Sequence, residues 1–182
     1  MTSVEEKPNH IESKADSDIT WYAIYVCSRH EKTVYQSLIE KDVECSLPLI
    51  KKFRRWSDRK KRIEVPLFRG YVFVRINLGK DKFTVLETDS VVKYIGIRGV
   101  PSPIRDEQMY WLNTMVNKFD TVQHETEIPI GEKVKVVTGP CKGMEGVVIT
   151  RKNQERLVVM IEAIMQAVSI EIHPEYLERV RS

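Results

Sequence analysis

Cysteine is scarce in this 182-residue chain, and the few thiols present do not pair. Cys27, Cys45 and Cys141 are odd in number, far apart and never in C-x-x-C spacing. That argues against a disulfide framework or a zinc site and suits reduced thiols. The four histidines, His10, His30, His124 and His173, are equally dispersed and form no ligand set with the cysteines. No metal and no cofactor is expected. Long apolar runs are missing too: nothing approaches the roughly 18–20 residues a membrane-spanning helix needs. Residues 1–19 are polar and acidic, without the apolar stretch of a secretory signal. A cytoplasmic chain with no membrane partner is therefore expected. There is no P-loop, G-x-S-x-G or metal cluster, and the acid pair Asp106-Glu107 is explained as first-turn helix acids. Catalysis is not expected.

What the chain does have is segregated charge. The formal net charge is +3, yet Lys51–Arg62 (KKFRRWSDRKKR) sets eight basic residues against Asp58. That segment carries +7, so the remainder carries −4. Segregation on this scale marks an element facing a polyanion. A solvated loop is the plainer alternative. Phe53 and Trp56 weigh against it, because aromatics among basic residues make stacking platforms for nucleic acid.

Residues 1–19 are acid-rich and poor in large apolar side chains, which predicts a disordered tail. Trp21–Cys27 (WYAIYVC) reads as a strand dense in β-favouring residues. In His30–Asp42, Val34 and Leu38 repeat at helical spacing among charges. Cys45–Phe53 and Val65–Ile76 read as two strands around the basic segment, making a long hairpin. The second (VPLFRGYVFVRI) alternates Val72, Val74 and Ile76 on one face with Tyr71, Phe73 and Arg75 on the other. Phe83–Thr88 is a candidate short helix and Val91–Ile97 a fourth strand. Near Ile104–Phe119 a last helix carries Met109, Leu112, Val116 and Phe119 on one stripe.

The order β-α-β-β-α-β-α over residues 20–119 predicts an α+β, ferredoxin-like sandwich with an antiparallel sheet. Helices over the Val72/Val74/Ile76 face would leave Tyr71 and Phe73 on the other, joined by Tyr25. Burial of these aromatics by a third helix or packed loops is the plainer outcome. An uncovered aromatic patch would instead mark a partner site. Asp120–Glu127 (DTVQHETE) is polar, acidic and aperiodic, so residues 120–128 are expected to be a flexible linker. From 129 to 182 the period becomes two. Lys133–Val137, Glu145–Thr150, Arg156–Ile161, Ala167–Ile172 and Tyr176–Val180 predict a small five-stranded barrel. Ile161–Ala167 has fair helix propensity, but the β-rich flanks and the Gly139-Pro140 turn favour the barrel.

The residues now point to a family. Gly131–Thr150 (GEKVKVVTGPCKGMEGVVIT) resembles the KOW motif, on Gly131, Val134, Val136, Gly139, Pro140, Gly143 and Gly146. The N-terminal half is similar to the NGN domain of NusG-type factors, through Trp21-Tyr22 and the F-x-G-Y-V-F-V stretch Phe68–Val74. Both halves, in this order and joined by a polar linker, make the match specific over roughly residues 20–181. The resemblance implies an NGN domain followed by an SH3-like KOW barrel, and a monomeric factor that rides on RNA polymerase during elongation.

The resemblance also implies sites. The NGN domain would dock on the polymerase clamp helices through an aromatic pocket, here Tyr25, Phe68, Tyr71 and Phe73, with Tyr110 on the last helix. The hairpin residues Lys51, Lys52, Arg54, Arg55, Trp56, Arg59, Lys60, Lys61 and Arg62 would lie near upstream or non-template DNA, contacting phosphate and stacking. Arg29, His30 and Lys32, at the start of the first helix, form a second candidate DNA-facing group, for which surface solvation is an equal explanation. In the general factor the barrel meets a ribosomal protein through a Phe-Gly-Arg stretch. Here Ile164, Met165 and Gln166 stand in its place, which puts ribosome or Rho binding in doubt. Arg69 stands where proline is common. These departures look closer to RfaH-like and UpxY-like antiterminators, which serve selected operons such as surface-polysaccharide clusters. The alternatives are a general NusG-type elongation factor and a ribosome-associated, RNA-binding KOW protein.

Overall fold

The computed structural model describes residues 19–55, 60–125, 131–151 and 153–180, and among these the side chains of all but 53–55, 60 and 61. The tail expected over 1–19 lies, up to residue 18, outside the described residues. In chain order the elements are β1 (Ile19–Val26), α1 (Glu31–Glu40), β2 (Glu44–Ser46), β3 (Leu49–Arg55), β4 (Lys60–Pro66), β5 (Tyr71–Asn77), α2 (Leu78–Leu86), β6 (Val91–Tyr94), β7 (Gly96–Ile97), β8 (Val100–Pro101), β9 (Pro103–Ile104) and α3 (Asp106–Lys118). There follow β10 (Gln123–Glu125), β11 (Glu132–Val136), β12 (Glu145–Arg151), β13 (Gln154–Ile161), β14 (Gln166–Glu171) and β15 (Leu177–Arg179).

The first sheet runs β2-β5-β1-β6 with β9 also on β1, all pairs antiparallel. Its register sets Tyr22 opposite Val74 and Ile24 opposite Val72. Alternation then sorts the two faces. Tyr22, Ile24, Val26, Val72, Val74 and Ile76 form one core with Val34 and Leu38 of α1 and Val85 of α2. Trp21, Ala23 and Phe73 belong to the opposite core, with Met109, Leu112 and Met115 of α3. α2 is held at its start by Asn77, whose side chain accepts from the Gly79 and Lys80 N–H groups at 3.0 and 3.2 Å. The Asp81 carboxylate accepts in return from the Asn77 N–H at 3.1 Å, satisfying donors a helix start leaves free.

Three expected strands are each broken in two; Val91–Ile97 divides at Ile95, and β7 leaves the main sheet to pair with β8. Cys45–Phe53 is interrupted at Leu47-Pro48, where proline has no N–H to donate. Val65–Ile76 is interrupted at Leu67–Gly70, where Gly70 takes φ +79°. β2 and β5 therefore stay in the main sheet, while β3 and β4 leave it as a separate two-stranded arm. Gly70 is required twice over. Its φ lies in the left-handed region, and a Cβ there would come within 2.8 Å of the Tyr25 ring.

The C-terminal strands form one antiparallel sheet in the order β10-β14-β13-β12-β11-β15, curled around Val134, Val136, Met144, Leu157, Ile161 and Ile170. The five expected strands are all present, with only a 3-10 turn, Glu162–Ile164, inside the segment of fair helix propensity. Gly146 permits close strand approach: a Cβ there would sit 2.4 Å from the Val158 carbonyl oxygen. The expected flexible linker needs correction. Its residues 123–125 are β10, paired with β14, and Glu125 is buried. A polar sequence satisfies its groups here by strand pairing and a buried charge network, which composition does not reveal.

Candidate functional site

The arm β3–β4 projects the basic run. Its ladder pairs Lys51 with Glu64, Lys52 with Ile63 and Arg55 with Lys60. Lys51, Lys52 and Arg62 are exposed, and Arg62 reaches Asp120 at 3.1 Å. Trp56 and Arg59 lie outside the described residues, as do the side chains of Arg54, Arg55, Lys60 and Lys61.

At the base of the arm, the loop after β1 meets the start of α1. Arg29 adopts φ +68°, an uncommon conformation for a residue with a Cβ. His30 Nδ1 lies 3.1 Å from the Ser28 carbonyl oxygen. Lys32 donates from Nζ to the Glu64 carbonyl at 3.1 Å, tying α1 to β4. Glu31 is buried and accepts from the Gly70 N–H at 2.8 Å, tying the same turn to the β4–β5 connection. Of the second candidate group, Arg29 and Lys32 thus converge on the arm. His30 is exposed and does not line the cavity between them.

The aromatic face is only partly uncovered. Tyr25 is 39% exposed and meets Tyr71 edge-on, with ring centroids 5.7 Å apart, above Gly70. Tyr110, on the outer side of α3, is 63% exposed. Phe68 and Phe73 correct the expectation of an open patch, being 2% and 0% exposed. They meet each other at 6.0 Å, and Phe68 meets the His124 ring at 5.6 Å. The cover is the plainer one weighed from sequence, a third helix, together with the C-terminal barrel. One contiguous core joins Phe68 and Phe73 to α3 and to Leu157, Val159, Ile161 and Ile164. Strand parity separates the faces of a sheet but cannot show what a following domain will cover.

The barrel loop is placed equally unexpectedly. The turn Glu162–Ile164 lies against β1 and β9, with Ile164 buried. Gln108 Nε2 of α3 donates to the Met160 carbonyl at 3.5 Å. Met165 takes φ +51° and stays exposed, while Gln166 hydrogen-bonds His124. Of the three residues expected to meet an external partner, one faces inward to the first domain. Of the KOW positions, Val134 and Val136 are buried, and Gly139 and Gly143, at φ +82° and +89°, shape the loop around exposed Pro140.

Sequence reasoning missed a buried charge network. Arg156, buried in β13, donates to Ser169 Oγ from Nε at 3.0 Å and from Nη2 at 2.9 Å. It also donates to the Thr121 carbonyl at 2.8 Å and to the Glu171 carboxylate at 3.0 Å. Ser169 donates to buried Glu125, which Arg151 meets at 3.2 Å. The segment from Thr121 to Glu125 is thereby fastened to the barrel. The sequence signal was slight: Arg156 follows Gln154 and Glu155 at the polar start of its strand and does not stand out from them. Burial also pushes the thiols of Cys45 and Cys141 up to about 11, with Glu44 adding to the rise at Cys45.

Among the described residues no group of three or more His, Cys, Asp or Glu converges as a metal site, and no helix is long and apolar enough to cross a membrane. Against known proteins, residues 19–113 match the family model described as NusG, transcription termination factor nusG. A curated relative, the transcription termination/antitermination protein NusG of Lactococcus lactis subsp. lactis (strain IL1403), is 23% identical over 179 residues, covering 91% of this chain and 95% of that protein. A solved structure described as "Domain interaction in Thermotoga maritima NusG" is 20% identical, with a TM-score of 0.52, covering 91% of this chain and 99% of that one. It supports the two-domain α+β fold. With a family match over more than half of its length, this chain belongs to the NusG family of transcription termination and antitermination factors, and it is not an enzyme.

Proposed function

We propose that the chain promotes processive transcription by docking on RNA polymerase through its first domain, with the basic arm reaching nucleic acid beside it. The observation that carries this reading is the juxtaposition at one end of the sheet. Exposed Tyr25, meeting half-buried Tyr71 edge-on, sits beside the base of an arm with cations on both strands. An exposed aromatic cluster at the end of a sheet suits a protein contact, and an extended basic ribbon suits phosphate contact without sequence readout. Tyr25, Tyr71 and Tyr110 would make the first contact with the clamp helices. Phe68 and Phe73 would shape the pocket from beneath, entering fully once the barrel moves aside.

Action on selected operons is the finer reading, with general elongation the alternative. It is supported by the strongly basic arm, by Arg69, and by a barrel loop that turns Ile164 inward rather than presenting a Phe-Gly-Arg surface to a ribosomal partner.

The test is binding to core RNA polymerase of the wild type and a Tyr25→Ala/Tyr71→Ala variant, each shown to be folded. Loss of about tenfold or more in the variant is expected, since interface tyrosines commonly carry 1–2 kcal/mol or more. Wild-type binding unchanged by the substitutions would discard the docking face. No wild-type binding would discard the reading itself.

A further inference from the structure

We infer that Glu31 is a positioning residue for polymerase docking: it fixes the Gly70 backbone on which Tyr25 and Tyr71 meet, without touching the partner itself. The inference rests on the docking reading above and adds a residue that reading does not contain. Glu31 is 5% exposed, too little to make an outside contact of its own. Taking a carboxylate out of water is costly unless it is hydrogen-bonded, and the bond Glu31 makes is not within its own helix. It opens α1, where the N-cap residue His30 makes no side-chain cap. Its Oε1 instead accepts from the Gly70 N–H at 2.8 Å, 39 positions along the chain.

That bond completes a node. The Gly70 carbonyl accepts from the Val26 N–H at 2.8 Å, so both backbone polar groups of buried Gly70 are held, one by the end of β1 and one by the start of α1. The Tyr25 ring lies directly on Gly70. Tyr71 follows Gly70 in the chain and stands opposite Tyr25 in the strand register. One acceptor thus sets both tyrosines. Without it a buried N–H loses its partner, and the turn is free to part Tyr71 from Tyr25. The plainer role for a first-turn acid is to complement the helix dipole. That role needs only negative charge near the helix start, whereas the Gly70 bond needs an oxygen at the right reach. Glutamine keeps the reach and loses the charge. Aspartate keeps the charge but, one methylene shorter, falls out of hydrogen-bonding distance.

The test measures binding of the full chain to core RNA polymerase, with hydrogen exchange at the Gly70 amide read by NMR and circular dichroism establishing that each variant is folded. Glu31→Gln should bind within about threefold of the wild type, its acceptor being kept but neutral. Glu31→Asp should bind about tenfold more weakly, as expected for loss of the tyrosines themselves, and its Gly70 amide should exchange faster. Glu31→Met, similar in length but without an oxygen, should repeat that loss by a second route. Added to Tyr25→Ala/Tyr71→Ala, Glu31→Asp should cost nothing further, because what it positions is gone. Three results would each overturn the inference and leave the docking face standing: wild-type binding by Glu31→Asp and Glu31→Met, a tenfold loss in Glu31→Gln, or a fully additive loss in the variant without the tyrosines. If Tyr25→Ala/Tyr71→Ala binds as the wild type does, the docking face falls and this inference with it.

Discussion

Arg156→Met should be the most damaging single substitution in the C-terminal barrel. The guanidinium is buried and serves four acceptors at once: the Ser169 hydroxyl, the Ser169 carbonyl, the Thr121 carbonyl and the Glu171 carboxylate. Methionine keeps much of the volume but supplies no donor. Glu171 is about a third exposed and can turn partly to water, which softens the loss. The Thr121 carbonyl loses its charged donor, and the buried Glu125 keeps Ser169 and Arg151 but loses the nearby positive charge. Breaking a buried pair costs roughly 3–5 kcal/mol. With the discount for Glu171, about 3 kcal/mol is expected, a large fraction of the 5–15 kcal/mol typical of a domain. Hydrogen exchange on the full chain is the suitable assay, because it resolves the strands individually. Amides of β13 and β14 should exchange about a hundredfold faster, while those of β1 and β5 change little. Arg156→Lys should recover only part of the protection, since one ammonium cannot reproduce a planar fork of donors. Protection within twofold of wild type in Arg156→Met would refute this account of the network.

Gly70→Ala should destabilise the first domain by roughly 1–2 kcal/mol from the left-handed backbone alone, and the added methyl must also displace the Tyr25 ring. Urea unfolding of Gly70→Ala, Tyr25→Ala and the double variant should show coupling, which strict additivity would rule out. For the thiols, DTNB should label exposed Cys27 promptly, half-buried Cys45 more slowly, and buried Cys141 only on unfolding. The Cys45 and Cys141 thiols hold their protons to about 11, against about 9 in the unfolded chain. Their contribution to stability is therefore complete below pH 9 and is lost as the pH rises from 9 to 11. A urea midpoint that did not fall across that window would contradict their burial.

Much of the fold could be read from local pattern because its cause is local. Val72, Val74 and Ile76 alternate, and alternation alone sends them to one face of β5. Met109 and Leu112 lie on a helical stripe and are buried, though that stripe passed over Met115, which is buried as well. The glycines and Gly139-Pro140 marked their turn through backbone freedom. Parity of two still could not say whether Phe73 would meet solvent, since the answer depends on α3 and on a barrel that begins more than fifty residues later. Likewise Thr121–Glu125 reads as a linker by composition. What makes β10 a strand is Arg156, Ser169 and the edge of β14, all remote in sequence. For the candidate site, the cations were evident, but the meeting of Arg69 and Lys52 with Arg29 required the kink at Pro48 and the turn at Gly70 that swing the arm out of the sheet.

The short connection between α3 and β10 has a consequence of its own. Only residues 119–122 separate the two elements, and four residues span at most about 14 Å when fully extended. While β10 stays paired to β14, a barrel released from the first domain is a tethered body that cannot drift away. Its local concentration at the vacated surface is in the millimolar range or above. Any outside molecule seeking Ile164, or the phenylalanines beneath the barrel, must outcompete a neighbour on a very short leash. It must bind tightly enough to overcome that local concentration, or else peel β10 from its sheet and lengthen the leash.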